Sequence, residues 1–214
     1  MSHPAKFTDK FIPIFADLLR GKNVVLDPFA GTGKIGMIRN FGFEGKIICN
    51  EIEEGFKEDY DVEWHFQDSE NLDFLEDQSV DAICTSPTYG NRMADTYTDK
   101  TKRITYTACL GKKLKSGNTG SMQFGMKYKE KHFKIYKELH RVLKTGGTFI
   151  LNISNHIRGG SEVDVTKWHL ETLVSIGFKI NEIKQIETQR MGFGKNSGKR
   201  CKFEFIIILT KEFL

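Results

Sequence analysis

Short apolar runs alternate with amphipathic segments over the first three quarters of the chain. The apolar runs predict five β-strands, at residues 24–26, 46–52, 62–67, 80–84 and 148–153. Between them, apolar residues at helical spacing predict a helix that begins at Gly33 and two that span residues 128–143 and 165–176. We expect Gly146 and Gly147 to end the second helix and Gly177 to end the third. Strands that alternate with helices in this way indicate parallel pairing.

The alternation of strands and helices stops after residue 177. Residues 178–188 and 202–210 are both strand-like, and residues 190–200 between them are rich in Gly, Asn and Ser. Because no helical pattern separates the two strands, we expect them to pair as an antiparallel hairpin. All 214 residues are therefore predicted to form a single α/β domain. Its doubly wound, mostly parallel sheet would end in a C-terminal antiparallel hairpin and bind ligands at the carboxyl ends of its strands.

Composition narrows the class of protein. Hydrophobic residues make up 39% of the chain and charged residues 28%, which is ordinary for a water-soluble domain. No apolar run approaches the ~20 residues of a membrane span, and the N-terminus lacks the apolar stretch of a signal peptide. We therefore expect a cytoplasmic protein with no membrane partner. The four cysteines are scattered and form no Cys-x-x-Cys pair, which argues against a disulfide framework and against a zinc site.

Charge is segregated along the sequence, although the net charge is only +4. Residues 44–81 are acidic, with only Lys46 and Lys57 opposing the carboxylates, whereas residues 92–134 and 190–202 are basic. Clustered Lys and Arg are typical of a surface that binds a phosphate backbone. The alternative is a solvated basic face that balances the acidic segment.

Residues 90–125 form a polar, basic, glycine-containing stretch that fits no regular element. An irregular connection of this length in a compact domain is usually functional or mobile. We predict that this basic insertion, together with residues 190–200, recognises nucleic acid. Candidate side chains for base edges are Asn91, Arg92, Asn118 and Gln123.

A glycine loop follows the first predicted strand. Residues 27–33 read Asp-Pro-Phe-Ala-Gly-Thr-Gly, and such glycines let a backbone approach a ligand closely. Glu51 ends the next strand, close to the ~20-residue offset at which an acid meets ribose hydroxyls. Asp68 ends the third strand, where a carboxylate can reach an adenine amine. The pattern Gly-x-Gly-x-x-Gly is formally present, but Asp27 would lie unfavourably beside a pyrophosphate.

A second candidate site follows the strand at residues 80–84. Ser86 can donate or accept a hydrogen bond, and the ring of Pro87 stiffens the turn so that nearby carbonyls can face a ligand. Tyr89 offers a flat face on which another ring can stack. Both candidate sites lie at strand ends, so together they indicate a site for a planar amine.

These motifs resemble those of a known family. Residues 27–33 resemble the S-adenosylmethionine-binding motif of class I methyltransferases, specifically of the amino-methyltransferases that act on DNA. Residues 86–89 resemble their catalytic Ser/Asp/Asn-Pro-Pro-Tyr motif, and residues 3–7 resemble an N-terminal segment that closes over the methionine part of the cofactor. The resemblance implies a Rossmann-like methyltransferase fold, S-adenosylmethionine as cofactor and no metal. The cofactor-binding residues it implies are His3, Phe7, Asp27, Pro28, Phe29, Gly31, Gly33, Glu51, Asp68 and Ser86. The catalytic residues it implies are Ser86, Pro87, Thr88 and Tyr89.

The resemblance also implies the reaction, which is direct methyl transfer to an exocyclic amine of a DNA base. Ser86 and the Pro87 carbonyl would accept hydrogen bonds from the amine, and Tyr89 would stack on a base that has left its duplex. A motif that begins with serine favours N4 of cytosine over N6 of adenine. Thr88 departs from the family, because it replaces the second proline.

Two other functions remain open from the sequence. One is a methyltransferase that acts on an RNA base. The other is a non-catalytic nucleic-acid-binding protein that retains the fold, which the departure at Thr88 favours and which the intact Asp27, Ser86 and Tyr89 oppose.

Overall fold

The computed structural model describes residues 8–91, 105–188 and 201–212. Nine strands form in these residues: β1 (Val24–Asp27), β2 (Lys46–Asn50), β3 (Glu63–His65), β4 (Val80–Thr85), β5 (Leu143–Ile153), β6 (His156–Arg158), β7 (Ser161–Val163), β8 (Phe178–Glu187) and β9 (Phe203–Lys211). Seven of them build one sheet in the order β3-β2-β1-β4-β5-β9-β8, and β6 pairs with β7 separately.

Strands β1 to β5 are parallel to one another, and β9 runs antiparallel to both β5 and β8. This topology confirms the predicted doubly wound sheet with its C-terminal antiparallel hairpin. Strand β1 lies between β2 and β4, with Leu26 opposite Ile48 on one side and opposite Ile83 on the other. The segments that follow β1, β2 and β4 therefore emerge side by side at the same edge of the sheet.

The helices cover both faces of the sheet. Four are α-helices: α1 (Ile12–Leu18), α2 (Tyr106–Leu110), α3 (Met126–Val142) and α4 (Val165–Ile176). Four are 3₁₀ helices: Asp9–Phe11, Lys34–Phe41, Glu54–Phe56 and Thr119–Ser121. Within the described residues, no helix has both the length and the apolar character needed to cross a bilayer.

Two apolar cores follow from the alternation of side chains along the strands. On one face, Ile83 of β4 and Phe149 of β5 pack with Leu139 of α3. On the other face, Cys84 of β4 and Ile150 of β5 pack in the core that also contains Phe15 of α1. The middle of each central strand is thus buried on both sides, which is why apolar residues follow one another directly in β4 (residues 82–84) and in β5 (residues 149–151).

Several predicted elements differ from the structure in their boundaries or type. Gly146 and Gly147 do not end a helix, because α3 ends at Val142 and β5 begins at the next residue. The glycines lie in an irregular part of β5: partners two positions apart on β4, Val80 and Ala82, pair with Leu143 and Thr148. Gly146 has a φ of 76°, which the extra residues require.

Other differences lie around the glycine loop, and the first is that β2 ends at Asn50, so Glu51 lies just beyond the strand and not within it. The helix that follows Gly33 is a 3₁₀ helix, in which Gly36 packs so closely that a Cβ would lie 2.9 Å from both Tyr60 and Val62. Strand β3 ends at His65, so Asp68 lies beyond the strand and not at its last residue. None of the four cysteines, all within the described residues, forms a disulfide.

Candidate functional site

The glycine loop turns sharply away from the end of β1. Gly31 and Gly33 have φ values of 55° and 79°, which L side chains rarely adopt. The Ala30 N–H donates to the Asn50 carbonyl at 3.1 Å, so the loop is also tied to β2. A Cβ on Gly33 would overlap the ring of Trp64. Glycine at position 33 is therefore required by the fold itself, through both φ and the tryptophan.

Asp27, the last residue of β1, is completely buried beneath this loop. Its Oδ1 accepts hydrogen bonds from the Thr85 hydroxyl at 2.7 Å and from the Phe29 N–H at 3.1 Å. Its Oδ2 is buried and has no hydrogen-bond partner in the described part of the chain. Burial raises the pKa of Asp27 to about 7. A ligand that carries a donor or a positive charge would complement this oxygen.

Glu51 follows β2 and closes the other side of the loop. Its Oε2 accepts the Gly31 N–H at 2.9 Å, and its Oε1 accepts the Glu53 N–H at 3.0 Å. Burial raises the pKa of Glu51 to about 7. Since a carboxylate oxygen has two lone pairs, each oxygen retains one for a hydroxyl donor.

Asp68 is engaged by a lysine of α3. Its Oδ2 forms an ion pair with Lys131 Nζ, which also lies 3.1 Å from Glu70, and its Oδ1 accepts the Glu70 N–H at 3.1 Å. Only 9% of the Lys131 side chain is exposed. Lys131 therefore belongs to this ion-pair group. Its position within the basic segment 92–134 suggests that it lies on the basic surface, but it does not.

Residues 86–89 follow β4 beside the glycine loop. Ser86 Oγ lies 3.1 Å from the hydroxyl of Tyr89, and Pro87 is buried between them. The ring of Tyr89 is half-buried and packs at the border of the apolar core. The hydrogen bond from Thr85 to Asp27 joins this loop to the glycine loop. The structure thus brings the two predicted motifs together at the sheet edge.

Thr88 is held at both its side chain and its main chain. Its hydroxyl donates to Thr119 Oγ1 at 2.8 Å, and its carbonyl accepts a hydrogen bond from the hydroxyl of Tyr128. The Tyr128 hydroxyl also lies 2.9 Å from His169 Nε2. Phe29 of the glycine loop stacks on His132 with ring centroids 5.6 Å apart. Helices α3 and α4 therefore support both loops from the same side.

Residues 115–121, which we call the strap, lie against the segment that follows β2. Glu53 is completely buried, and its Oε1 accepts hydrogen bonds from the Lys115 N–H and from Asn118 Nδ2, the latter at 3.2 Å. Asn118 Oδ1 accepts the Gly120 N–H at 2.8 Å. The prediction that Asn118 contacts a base edge is wrong, because this amide is buried and bonded within the protein.

The two ends of the insertion are hydrogen-bonded to each other. The Phe124 N–H donates to the Gly90 carbonyl at 2.8 Å, and Asn91 forms an isolated β-bridge with Gln123. Arg158 of β6 donates to Gln123 Oε1 at 2.6 Å. The side chains of Asn91 and Gln123 are exposed, so their predicted role in nucleic-acid contacts stays a prediction.

Several predicted residues lie outside the described part of the chain. These are His3, Phe7, Arg92 and the recognition loop at residues 190–200. Among the described residues, no group of three or more His, Cys, Asp or Glu side chains could hold a metal ion.

Sequence reasoning missed five contributors to the site: Thr85, Glu53, Thr119, Lys131 and the Tyr128–His169 pair. One signal was present, because Tyr128, His132 and Tyr136 recur every four residues along the apolar side of α3. Polar aromatic side chains at this spacing share one buried helix face, where they need partners.

Comparison with known proteins shows similarity at the level of fold. No protein-family model matches this chain, and no curated protein sequence matches it. A SAM-dependent methyltransferase from Methanosarcina mazei is 15% identical, with 94% of this chain and 98% of that chain covered and a TM-score of 0.60. Precorrin-6y C5,15-methyltransferase from Geobacter metallireducens is 16% identical, with 99% and 94% covered and a TM-score of 0.59.

A third solved structure with this fold is the cyclase SpnF, which is 13% identical, with 100% of this chain and 86% of that chain covered and a TM-score of 0.58. The three structures share the Rossmann-like architecture of SAM-dependent methyltransferases with this chain. Two of these proteins are methyltransferases and one is a cyclase, so the shared fold leaves the reaction to be argued from the residues of the site.

Proposed function

We propose that this chain is an S-adenosylmethionine-dependent methyltransferase that acts on an exocyclic amine of a DNA base, with N4 of cytosine favoured over N6 of adenine. The observation that carries the proposal is the hydrogen bond between Thr85 and Asp27. It holds the glycine loop and residues 86–89 side by side at the ends of two adjacent parallel strands. A methyl donor and a methyl acceptor need this adjacency, since transfer requires the two reacting atoms in near contact.

The donor set of the site fits S-adenosylmethionine. The unpartnered Asp27 Oδ2 suits the cationic amino-acid part of the cofactor, and the lone pairs left on Glu51 suit ribose hydroxyls. Asp68 and Lys131 supply an acceptor and a donor for the adenine edge. When bound, the cofactor supplies an electrophilic methyl group on a sulfonium. Neither a protein nucleophile nor a metal is needed for transfer.

The remaining chemistry falls to residues 86–89. An exocyclic amine is a poor nucleophile, because its lone pair is delocalised into the ring. Ser86 Oγ and the Pro87 carbonyl accept hydrogen bonds from the amine N–H groups and favour a tetrahedral nitrogen. The hydroxyl of Tyr89 bonds Ser86, which fixes the tyrosine ring as a face on which the base stacks.

A nucleic-acid substrate is supported by the charge of the insertion. Lys112, Lys113 and Lys115 are exposed in the insertion, and Lys127 is exposed at the start of α3. Lysines in this arrangement neutralise backbone phosphates while a flipped base occupies the pocket. The choice of DNA and of cytosine rests on the resemblance of residues 86–89 to the Ser-Pro-Pro-Tyr form of the motif.

The test is a labelling experiment. The protein is incubated with methyl-labelled S-adenosylmethionine and, separately, with duplex DNA, single-stranded DNA or RNA, and the digested nucleosides are identified by mass. We expect N4-methylcytosine from DNA. Label only in RNA would overturn the DNA assignment, and cofactor binding without any label would favour the non-catalytic alternative.

Two variants control this experiment. Ser86→Ala removes the proposed acceptor and should reduce the rate by about 10²-fold or more. Ser79→Ala is the matched control, because the Ser79 hydroxyl bonds the Glu76 carbonyl just before β4 begins, at the amino ends of the parallel strands and away from the site. Ser79→Ala should methylate at the wild-type rate. Equal rates in the two variants would remove Ser86 from the mechanism.

A further inference from the structure

Thr88 occupies the position at which the resembled motif has a second proline, and it is bonded at two points. We infer that Thr88 is a positioning residue that fastens the catalytic loop to the strap, so that the cofactor side and the target side of the site are coupled. This inference rests on the proposed function. Its three supports are the anchor of the Thr88 carbonyl, the contacts of the strap, and the hydrogen bond that joins Thr88 to Thr119.

The Thr88 carbonyl is anchored by a buried relay of hydrogen bonds. The Tyr136 hydroxyl lies 2.5 Å from His169 Nδ1, His169 Nε2 lies 2.9 Å from the Tyr128 hydroxyl, and that hydroxyl donates to the Thr88 carbonyl. Only one assignment of donors and acceptors gives every polar atom of this relay a partner. Tyr136 donates to a neutral His169, which donates through Nε2–H to Tyr128. Burial lowers the pKa of His169 well below its usual range, which keeps the imidazole neutral.

The strap contacts the acidic side of the site at two places. Lys115 and Asn118 bond the buried Glu53, which lies two positions after the proposed ribose-binding Glu51. Gly117 packs against Asp68 so closely that a Cβ at position 117 would lie 2.6 Å from Asp68 Oδ2. The strap therefore lies against the segments that follow β2 and β3, where the ribose and the adenine are proposed to bind.

Thr119 joins this strap to the catalytic loop. Thr119 is buried, and its hydroxyl oxygen accepts the Thr88 hydroxyl at 2.8 Å. A proline at position 88 would restrict only its own φ and that of its neighbour. Threonine instead restrains the loop through a contact with the strap 31 positions away. Any ligand that orders the strap against Glu53 and Asp68 thereby also orders residues 86–89.

Such coupling is reciprocal in binding free energy and is typically about 5- to 150-fold in affinity. We therefore expect S-adenosylhomocysteine to tighten binding of a DNA substrate at least about 5-fold in the wild-type chain. Thr88→Val, which keeps the shape and removes the hydroxyl, should bring that factor close to 1. Thr88→Ser, which keeps the hydroxyl, should retain most of it.

The experiment combines two readouts on Thr88→Val, Thr119→Val, the double variant and Thr88→Ser. The first is a double-mutant cycle of unfolding free energy in ligand-free protein, where a shared hydrogen bond makes the two losses non-additive. The second is amide hydrogen exchange of residues 85–90 and 115–121 with and without S-adenosylhomocysteine. Thr145→Val is the matched control, because its hydroxyl bonds Gln78 at the opposite edge of the sheet.

In the wild-type chain and in Thr88→Ser, we expect the ligand to slow exchange in both segments. In Thr88→Val and Thr119→Val, it should slow exchange in the strap alone. Additive losses in the cycle, or equal protection of residues 85–90 in Thr88→Val and wild type, would overturn the inference. If the wild-type chain bound no S-adenosylhomocysteine, the proposed function would fall and the coupling with it, whereas the ligand-free cycle reports separately on the bond between Thr88 and Thr119.

Discussion

The Thr85 hydroxyl donates a 2.7 Å hydrogen bond to Asp27 Oδ1 across 58 positions of sequence. It is the direct link between the last residue of β4 and the last residue of β1. The bond uses one oxygen of a fully buried carboxylate and leaves the other without a partner among the described residues. The ionisation of Asp27 therefore depends on whether a donor or a positive charge comes close to this second oxygen.

The first prediction concerns the pH dependence of stability. Burial raises the pKa of Asp27 from 3.8 to about 7, so between these values the folded state holds a proton that the unfolded state has lost. Asp27 thus lowers stability as pH rises, by up to ~1.4 kcal/mol per unit. Asp27→Asn keeps the Oδ1 acceptor and cannot ionise. Urea unfolding at about pH 5 and about pH 8 should show Asp27→Asn gaining stability relative to wild type at the higher pH.

Glu51 also lowers stability as pH rises, because burial raises its pKa to about 7 as well. Stability of the wild-type chain relative to Asp27→Asn reports on Asp27 together with its effect on Glu51, because the charge of Asp27 contributes to the raised pKa of Glu51. Parallel pH profiles for the two proteins would contradict the prediction.

The second prediction separates backbone strain from packing in the glycine loop. Gly33 and Gly42 have φ values of 79° and 83°, but only a Cβ on Gly33 would overlap Trp64. Gly42→Ala should therefore cost about 1–2 kcal/mol for its backbone conformation alone. Gly33→Ala should cost more, because the tryptophan ring must also move. Chemical denaturation of both variants measures the difference in unfolding free energy. Equal losses of stability would show that the Trp64 ring moves aside without a measurable cost.

The third prediction concerns the relay beneath Thr88. Tyr128→Phe leaves both the Thr88 carbonyl and the His169 Nε2–H without their partner, whereas Tyr136→Phe deprives only His169 Nδ1. A buried polar group left unsatisfied costs about 1–3 kcal/mol. Tyr128→Phe should thus destabilise the protein more than Tyr136→Phe in urea unfolding. The reverse order would be inconsistent with the direction of donation assigned to the relay.

The fourth prediction concerns the lysine that pairs with Asp68. Lys131→Met removes the cation that pairs with both Asp68 and Glu70, and the two carboxylates then repel each other without it. Because both acids retain some solvent contact, we expect a loss of about 1–3 kcal/mol, below that for a fully buried pair.

Lys134→Met is the control for this substitution. Lys134 is exposed and lies 3.8 Å from the same Glu70, so its removal should change stability by less than about 1 kcal/mol. Adding Asp68→Asn to Lys131→Met should recover part of the loss, because one of the two opposed charges is removed. Equilibrium unfolding of the four proteins decides the point, and no recovery in the double variant would speak against charge repulsion as the cause.

The sheet could be predicted because its central strands are buried on both faces. Residues 24–26 form an uninterrupted apolar run, residues 80–84 are apolar except for Asp81, and residues 178–188 and 202–210 have no helix between them. Gly146 and Gly147 were misassigned for a specific reason. A glycine with a left-handed backbone occurs both after a helix and in an irregular strand, and sequence alone does not distinguish the two.

The contacts of the site could be predicted only in part. The positions of Asp27, Glu51 and Ser86 follow from the rule that parallel strands end at one edge. The bond from Thr88 to Thr119 and the pairing of Asp68 with Lys131 join residues 31 and 63 positions apart. Neither pair has a local pattern, because each forms only when the insertion and α3 fold back over the strand ends.

Gly90 fixes the point at which the insertion leaves and rejoins the domain. Its φ is 66°, and a Cβ at position 90 would lie 2.8 Å from the Phe124 nitrogen, whose N–H donates to the Gly90 carbonyl. The left-handed backbone and this close approach both disfavour any side chain at position 90. A substitution of Gly90 would therefore displace both ends of the insertion at once, although position 90 contacts neither the buried carboxylates nor the strap.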